Sequence, residues 1–125
     1  MMESIKVLLV DDDNYSKYII QHHLKRMGIT QFVEANDGES AMAKIKDESF
    51  SLIIADRYMP GIGGIDFFKS MQEDDALKNI PFLMITMESD SAKMQEARDA
   101  GIQNYLVKPI SAEGFEKMVR GILNI

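Results

Sequence analysis

The sequence predicts an α/β protein: one open, doubly wound parallel sheet with helices on both faces, a three-layer α/β/α domain. Three observations predict it. Five short apolar runs alternate with five longer segments of helical spacing. The runs are apolar at nearly every position, as in strands covered on both faces. A chain of 125 residues is also too short to close an eight-stranded barrel. Strands interleaved with helices at this spacing imply right-handed crossovers in a parallel sheet.

The apolar runs are Ile5 to Val10, Phe32 to Ala35, Leu52 to Ala55, Phe82 to Thr86 and Tyr105 to Val107, and Asp, Gly or Pro gather where they stop. Ile20, Leu24 and Met27 repeat at i, i+4, i+7, with Gly28 placed to cap that helix. Ala41, Met42 and Ile45 mark a second helix after Asp37-Gly38, and Ile65, Phe68 and Met71 a third after the glycine-rich 61–64 loop. Ser91 to Ala100 reads as a loosely packed helix with only Met94 and alanines to bury. Phe115, Met118 or Val119, and Ile122 mark the last helix. No linker, repeat or low-complexity tract interrupts residues 1–125, so a single domain is expected.

Composition narrows the function classes. A net charge of −6 argues against nucleic acid or an anionic membrane as direct partner. The absence of cysteine removes thiolate metal sites, disulfides and cysteine nucleophiles. No apolar run approaches the ~20 residues a bilayer span needs, and Met1-Met2-Glu3-Ser4 lacks the basic start of a signal peptide. A soluble, cytoplasmic domain is expected.

Ligands of open α/β sheets bind beyond the carboxyl ends of the strands. The first run ends Val10-Asp11-Asp12-Asp13, the third Ala55-Asp56, the fourth at Thr86 and the fifth Val107-Lys108-Pro109. Carboxylates crowded at one edge call for a proton or a cation, and all-oxygen donors favour a hard ion such as Mg²⁺. A lysine and a hydroxyl facing the same spot suit an arriving phosphoryl group. Together they point to phosphoryl transfer onto an aspartate. Each residue also has an ordinary reading: Asp13 as a helix N-cap, Asp56 as a turn residue, Thr86 as structural, Lys108 as a solvated charge and Pro109 as a trans proline. Four such residues at successive strand ends make independent coincidence the weaker account.

Val10-Asp11-Asp12, Asp56 with Met59-Pro60, Thr86 and Lys108-Pro109 fall in order at the spacing of a known family, and Asn36-Asp37-Gly38, Asp99-Ala100-Gly101 and Tyr105 add to the match. The sequence resembles a two-component response-regulator receiver domain of the chemotaxis, CheY-like type over nearly its whole length. That family is itself a standard example of the flavodoxin-like open sheet, with strand order 2-1-3-4-5. The resemblance implies that Asp56 takes a phosphoryl group from a sensor histidine kinase. It implies direct Mg²⁺ ligation by Asp12, Asp56 and the backbone carbonyl of Tyr58, with Asp11 acting through water. Lys108 would pair with Asp56 at rest and with the phosphoryl group afterwards. Thr86 and Tyr105 would form a two-state switch, read by a downstream protein on the face of the fourth helix, fifth strand and fifth helix. The sparsely packed Ser91–Ala100 segment suits a moving part.

Some positions depart from the family. Gly63 stands where many receivers have Asp or Asn, which implies a more mobile loop, and Met87 stands where the family prefers a small residue, placing a thioether beside the site. Tyr58 and Glu88 hold the positions that tune acyl-phosphate lifetime, either by screening the group or by placing water. The chain ends just after the last helix at Ile122-Leu123-Asn124-Ile125, so a stand-alone regulator binding a flagellar motor switch is the expected role, with a phosphatase as a further partner. The alternatives are a phosphorelay intermediate, a receiver excised from a larger regulator, a small Mg²⁺-dependent phosphohydrolase or a flavodoxin-like carrier. Three aspartates after the first run disfavour the last, because they would repel a flavin phosphate.

Overall fold

A computed structural model describes residues 2–125. After a 3₁₀ turn at Met2–Ser4, five strands and five helices alternate: β1 Lys6–Val10, α1 Asn14–Arg26, β2 Gln31–Ala35, α2 Gly38–Asp47, β3 Leu52–Ala55, α3 Gly64–Gln72, β4 Phe82–Thr86, α4 Ser91–Asp99, β5 Tyr105–Val107 and α5 Ala112–Leu123. All strand pairs are parallel, and their order is β2-β1-β3-β4-β5, as expected.

The pleat divides the core in two. Leu8, Val10, Ile53, Ala55 and Met84 face α2, α3 and α4, where Ile45, Phe67, Met71 and Ala97 cover them. Val7, Leu9, Leu52, Ile54, Leu83 and Ile85 face the other way, against Ile20 and Leu24 of α1 and Phe115 and Val119 of α5. Alternate side chains of every central strand therefore point into different cores, which is why those runs are apolar throughout.

Two expectations need correction. Burial on both faces holds for β1, β3 and β4, whereas β2 exposes Gln31 and Glu34 and β5 is only half-buried throughout. Both are edge strands, so covering helices reach only part of them. On α3 the spacing 65-68-71 omits Phe67, which is fully buried; the covered stripe is Gly64, Phe67, Phe68 and Met71. Phe67 and Phe68 both lie against Phe82, at ring-centroid distances of 6.2 and 5.0 Å.

Helix ends follow the sequence signals. Asp13, Asp37, Asp90 and Ser111 are N-caps whose side chains accept first-turn amides. Gly28 follows α1 with φ +88°, the left-handed conformation that closes a helix, while the Ile29 N–H donates to Leu24 O at 3.0 Å. Among the described residues, no helix is long and apolar enough to cross a membrane.

Phe67→Ala is expected to cost about 3–5 kcal/mol, because both the ring and its aromatic partner lose packing. Urea denaturation would show this as a lower midpoint at an unchanged slope.

Candidate functional site

The parallel register carries the site. Val10 pairs with Ala35 and Ala55, Ala55 with Met84, and Thr86 with Val107, so all five strands stop at one edge. The ladder continues one residue further: Asp11 N–H donates to Ala35 O at 3.1 Å, Asp56 N–H to Val10 O at 3.0 Å and Lys108 N–H to Thr86 O at 2.8 Å. Each chemical residue is thus pinned by its backbone to the neighbouring strand before its side chain makes any contact.

The side chains then converge. Lys108 Nζ donates to Asp56 Oδ2 and Asp11 Oδ2, both at 2.9 Å, and to Ser16 Oγ at 3.1 Å. Asp11 Oδ1 accepts the Asp13 N–H at 2.9 Å, and Asp56 Oδ1 accepts the Tyr58 N–H at 3.1 Å. Burial pushes the Asp11 carboxyl above the ordinary carboxylate range, against the lowering effect of the Asp13 amide and Lys108. Burial alone would lower the Lys108 ammonium, but its hydrogen bonds to Asp56 and Asp11 outweigh that and raise it. Lys108 is therefore a firmly held cation, not a solvated charge. Its peptide bond to Pro109 is cis, against the trans default.

Asp12 stands exposed and makes no part of this triad. Among the described residues, no three acidic or histidine side chains are gathered closely enough to grip a metal by themselves. Like charges keep apart, and an ammonium separates Asp11 from Asp56. Carboxylate and carbonyl oxygens at Asp11, Asp12, Asp56 and Tyr58 nonetheless fit Mg²⁺ in kind, since that ion uses a few carboxylates and keeps several waters.

The switch pair is bridged by a neighbouring loop. Thr86 is buried, and its Oγ1 accepts the Glu88 N–H at 3.4 Å. Tyr105 is half-buried and its hydroxyl donates to Glu88 O at 2.9 Å. The exposed Tyr58 donates its hydroxyl to Glu88 Oε2 at 3.1 Å. A hydrogen-bonded bridge thus joins the β3–α3 loop to the β4–α4 loop beside Asp56. Met87 is 77% exposed, next in the chain to the buried Thr86. Where the loop after Pro60 enters α3, the Gly64 N–H donates to Arg57 O at 2.7 Å.

Several residues had no signal in the sequence. Ser16 joins Lys108 from 92 positions away. Lys17 is a buried cation that donates to Asn36 Oδ1, with Glu34 at 3.7 Å, fixing the loop after β2. Arg57 is buried against α4. Gly64 is dictated by space: a Cβ there would lie 2.3 Å from Asp56 O and 3.0 Å from Arg57 Cα.

The family model for the response regulator receiver domain matches residues 7–120. The chain belongs to the response regulator receiver domain family. Among curated relatives, this receiver domain is 35% identical to the chemotaxis protein CheY of Pseudomonas aeruginosa, over 94% of this chain and 95% of that protein. It is 37% identical to the chemotaxis protein CheY-3 of Vibrio cholerae, over 88% and 85%. The solved structure of the chemotaxis response regulator CheY4 of Vibrio cholerae superposes on it with a TM-score of 0.86 at 34% identity, covering 95% of this chain and 98% of that one.

Two predictions follow from the packing of this receiver domain. Because the folded Asp11 carboxyl holds its proton more tightly than the unfolded one, native stability falls as pH rises from about 3.8 through the raised pKa. Asp11→Asn removes that loss and is expected to raise Tm at pH 7 by a few degrees, measured by calorimetry, with little gain at pH 3. Gly64→Ala is expected to destabilise by more than the ~1 kcal/mol of a typical point substitution, since the methyl group meets backbone that cannot yield. Thermal melts would register it.

Proposed function

We propose that this receiver domain is a phosphorylation-activated switch of chemotaxis type, with Asp56 as phosphoacceptor. The observation that carries the reading is the Asp56 carboxylate itself, one oxygen on Lys108 Nζ and the other on the Tyr58 amide, its side chain 13% exposed. A carboxylate so held is oriented and still reachable. One Asp56 oxygen attacks phosphorus of a phosphohistidine on a sensor kinase. The P–O bond forms as the P–N bond breaks, and the imidazole leaves with the electron pair and takes a proton from solvent. The product is an acyl phosphate.

Lys108 is placed to neutralise the transferred group, which brings about −1.5 to −2 charges, and Thr86 Oγ1 is the hydroxyl to receive one of its oxygens. Asp11, Asp12, Asp56 and the Tyr58 carbonyl would hold Mg²⁺, which when bound supplies the positive charge that lets an anion approach this acidic edge. Recruitment of Thr86 would withdraw it from the Glu88 amide, and Tyr105 shares that loop through Glu88 O. The α4–β5–α5 face would then present a changed surface to a downstream protein. Likeness to chemotaxis proteins over nearly the full chain supports a partner of the flagellar motor-switch kind and a cytoplasmic setting.

Intact-mass measurement after incubation with a small-molecule phosphodonor and Mg²⁺ is expected to show one added phosphoryl group per chain. Asp56→Ala or a chelator should abolish it. Repeated turnover of donor far beyond one equivalent would favour a phosphohydrolase, and a stable adduct on Asp56→Asn would refute the assignment.

A further inference from the structure

Helix α4 has too little apolar surface to hold itself in place. Its sequence, Ser-Ala-Lys-Met-Gln-Glu-Ala-Arg-Asp, buries one side chain, Ala97, with Met94 half-buried. A single methyl group contributes roughly 0.8 kcal/mol on burial, too little to seat nine residues. Something polar must hold the helix.

That group comes from the residue after Asp56. Arg57 is 6% exposed, and its guanidinium reaches α4 with two arms: Nη1 donates to the backbone carbonyl of Lys93, and Nη2 donates to the Glu96 carboxylate. Residues 93 and 96 are one turn apart on a single helix face. The planar guanidinium grips both at once, which an ammonium could not do. The same guanidinium lies 5.7 Å from the Tyr58 ring. Its backbone is fixed as well, because Arg57 O accepts the Gly64 N–H. Arg57 therefore reaches α4, the Tyr58 ring and the loop before α3, one peptide bond from Asp56.

We propose that Arg57 is a positioning residue that ties the end of β3 to α4, holds that helix in its resting seat, and passes a displacement at Asp56 directly to it. The resting half of this inference concerns only the unmodified chain, while the transmitting half rests on the reading of Asp56 as phosphoacceptor. The tie is asymmetric: Glu96 is 55% exposed, whereas the Lys93 carbonyl belongs to the helix backbone. Loss of Arg57 should therefore loosen α4 more than loss of the Glu96 charge.

Amide hydrogen exchange on the full chain tests both halves. In unphosphorylated Arg57→Met, amides of residues 94–100 are expected to exchange about tenfold faster than in the native chain, with β1 and β3 unchanged. Arg57→Lys, which keeps the charge but not the second arm, should fall between, and Glu96→Gln should show the smaller effect. Phosphorylation with a small-molecule donor should accelerate α4 exchange in the native chain and add little in Arg57→Met, where the tie is already cut. Unchanged α4 exchange in Arg57→Met, or acceleration spread evenly over all strands, would overturn the proposal. An equal further acceleration on phosphorylating Arg57→Met would overturn the transmitting half. A native chain that accepts no phosphoryl group fails the reading of Asp56 and leaves the resting comparison to stand or fall by its own result.

Discussion

Like charges crowded at one sheet edge set the terms for the rest of the molecule. Asp11 and Asp56 end adjacent strands, and the β1–β3 register gives them no means of separating. Without a cation, two carboxylates so placed would have to share a proton or disrupt the strand ends. Lys108 resolves this by bonding to both. It can do so because Lys108, one residue past β5, donates its backbone N–H to Thr86 O and is held at the same edge. The site is thus held by local repulsion and by a single cation that spans it. An arrangement balanced in this way is sensitive to any further charge, which is what a phosphoryl-operated switch requires.

That sensitivity has paths outward. Glu88 ties Thr86, Tyr58 and Tyr105 through its amide, its carboxylate and its carbonyl. A change at Thr86 therefore reaches both tyrosines without passing through the hydrophobic cores. Arg57 gives a second connection, from the strand end to α4. Both run above the sheet, across loops and one sparsely buried helix, where rearrangement disturbs little packed apolar surface. The central strands β1, β3 and β4 below are filled on both faces.

The fold could be read from the sequence because its signals are local. Continuous apolar runs, aspartate caps and the glycine after α1 each report on a few neighbouring residues. Asp11, Asp56, Thr86 and Lys108 could be gathered on one edge by strand-end position alone, and the structure does bring Asp11, Asp56 and Lys108 into contact. What escaped depends on distance in space. Arg57 looks like a surface charge until α4 is seen above it, and Lys17 does so until Asn36 and Glu34 are found facing it. Gly64 resembles any loop glycine until the Asp56 carbonyl is found where its side chain would be.

The brevity of β5 has a further effect. Only three residues form this outer strand, and its inner side is already bonded to β4. The free margin is short, so it offers another polypeptide little main-chain pairing. What that flank presents most of is side chains, which can be remodelled residue by residue while the scaffold beneath stays the same.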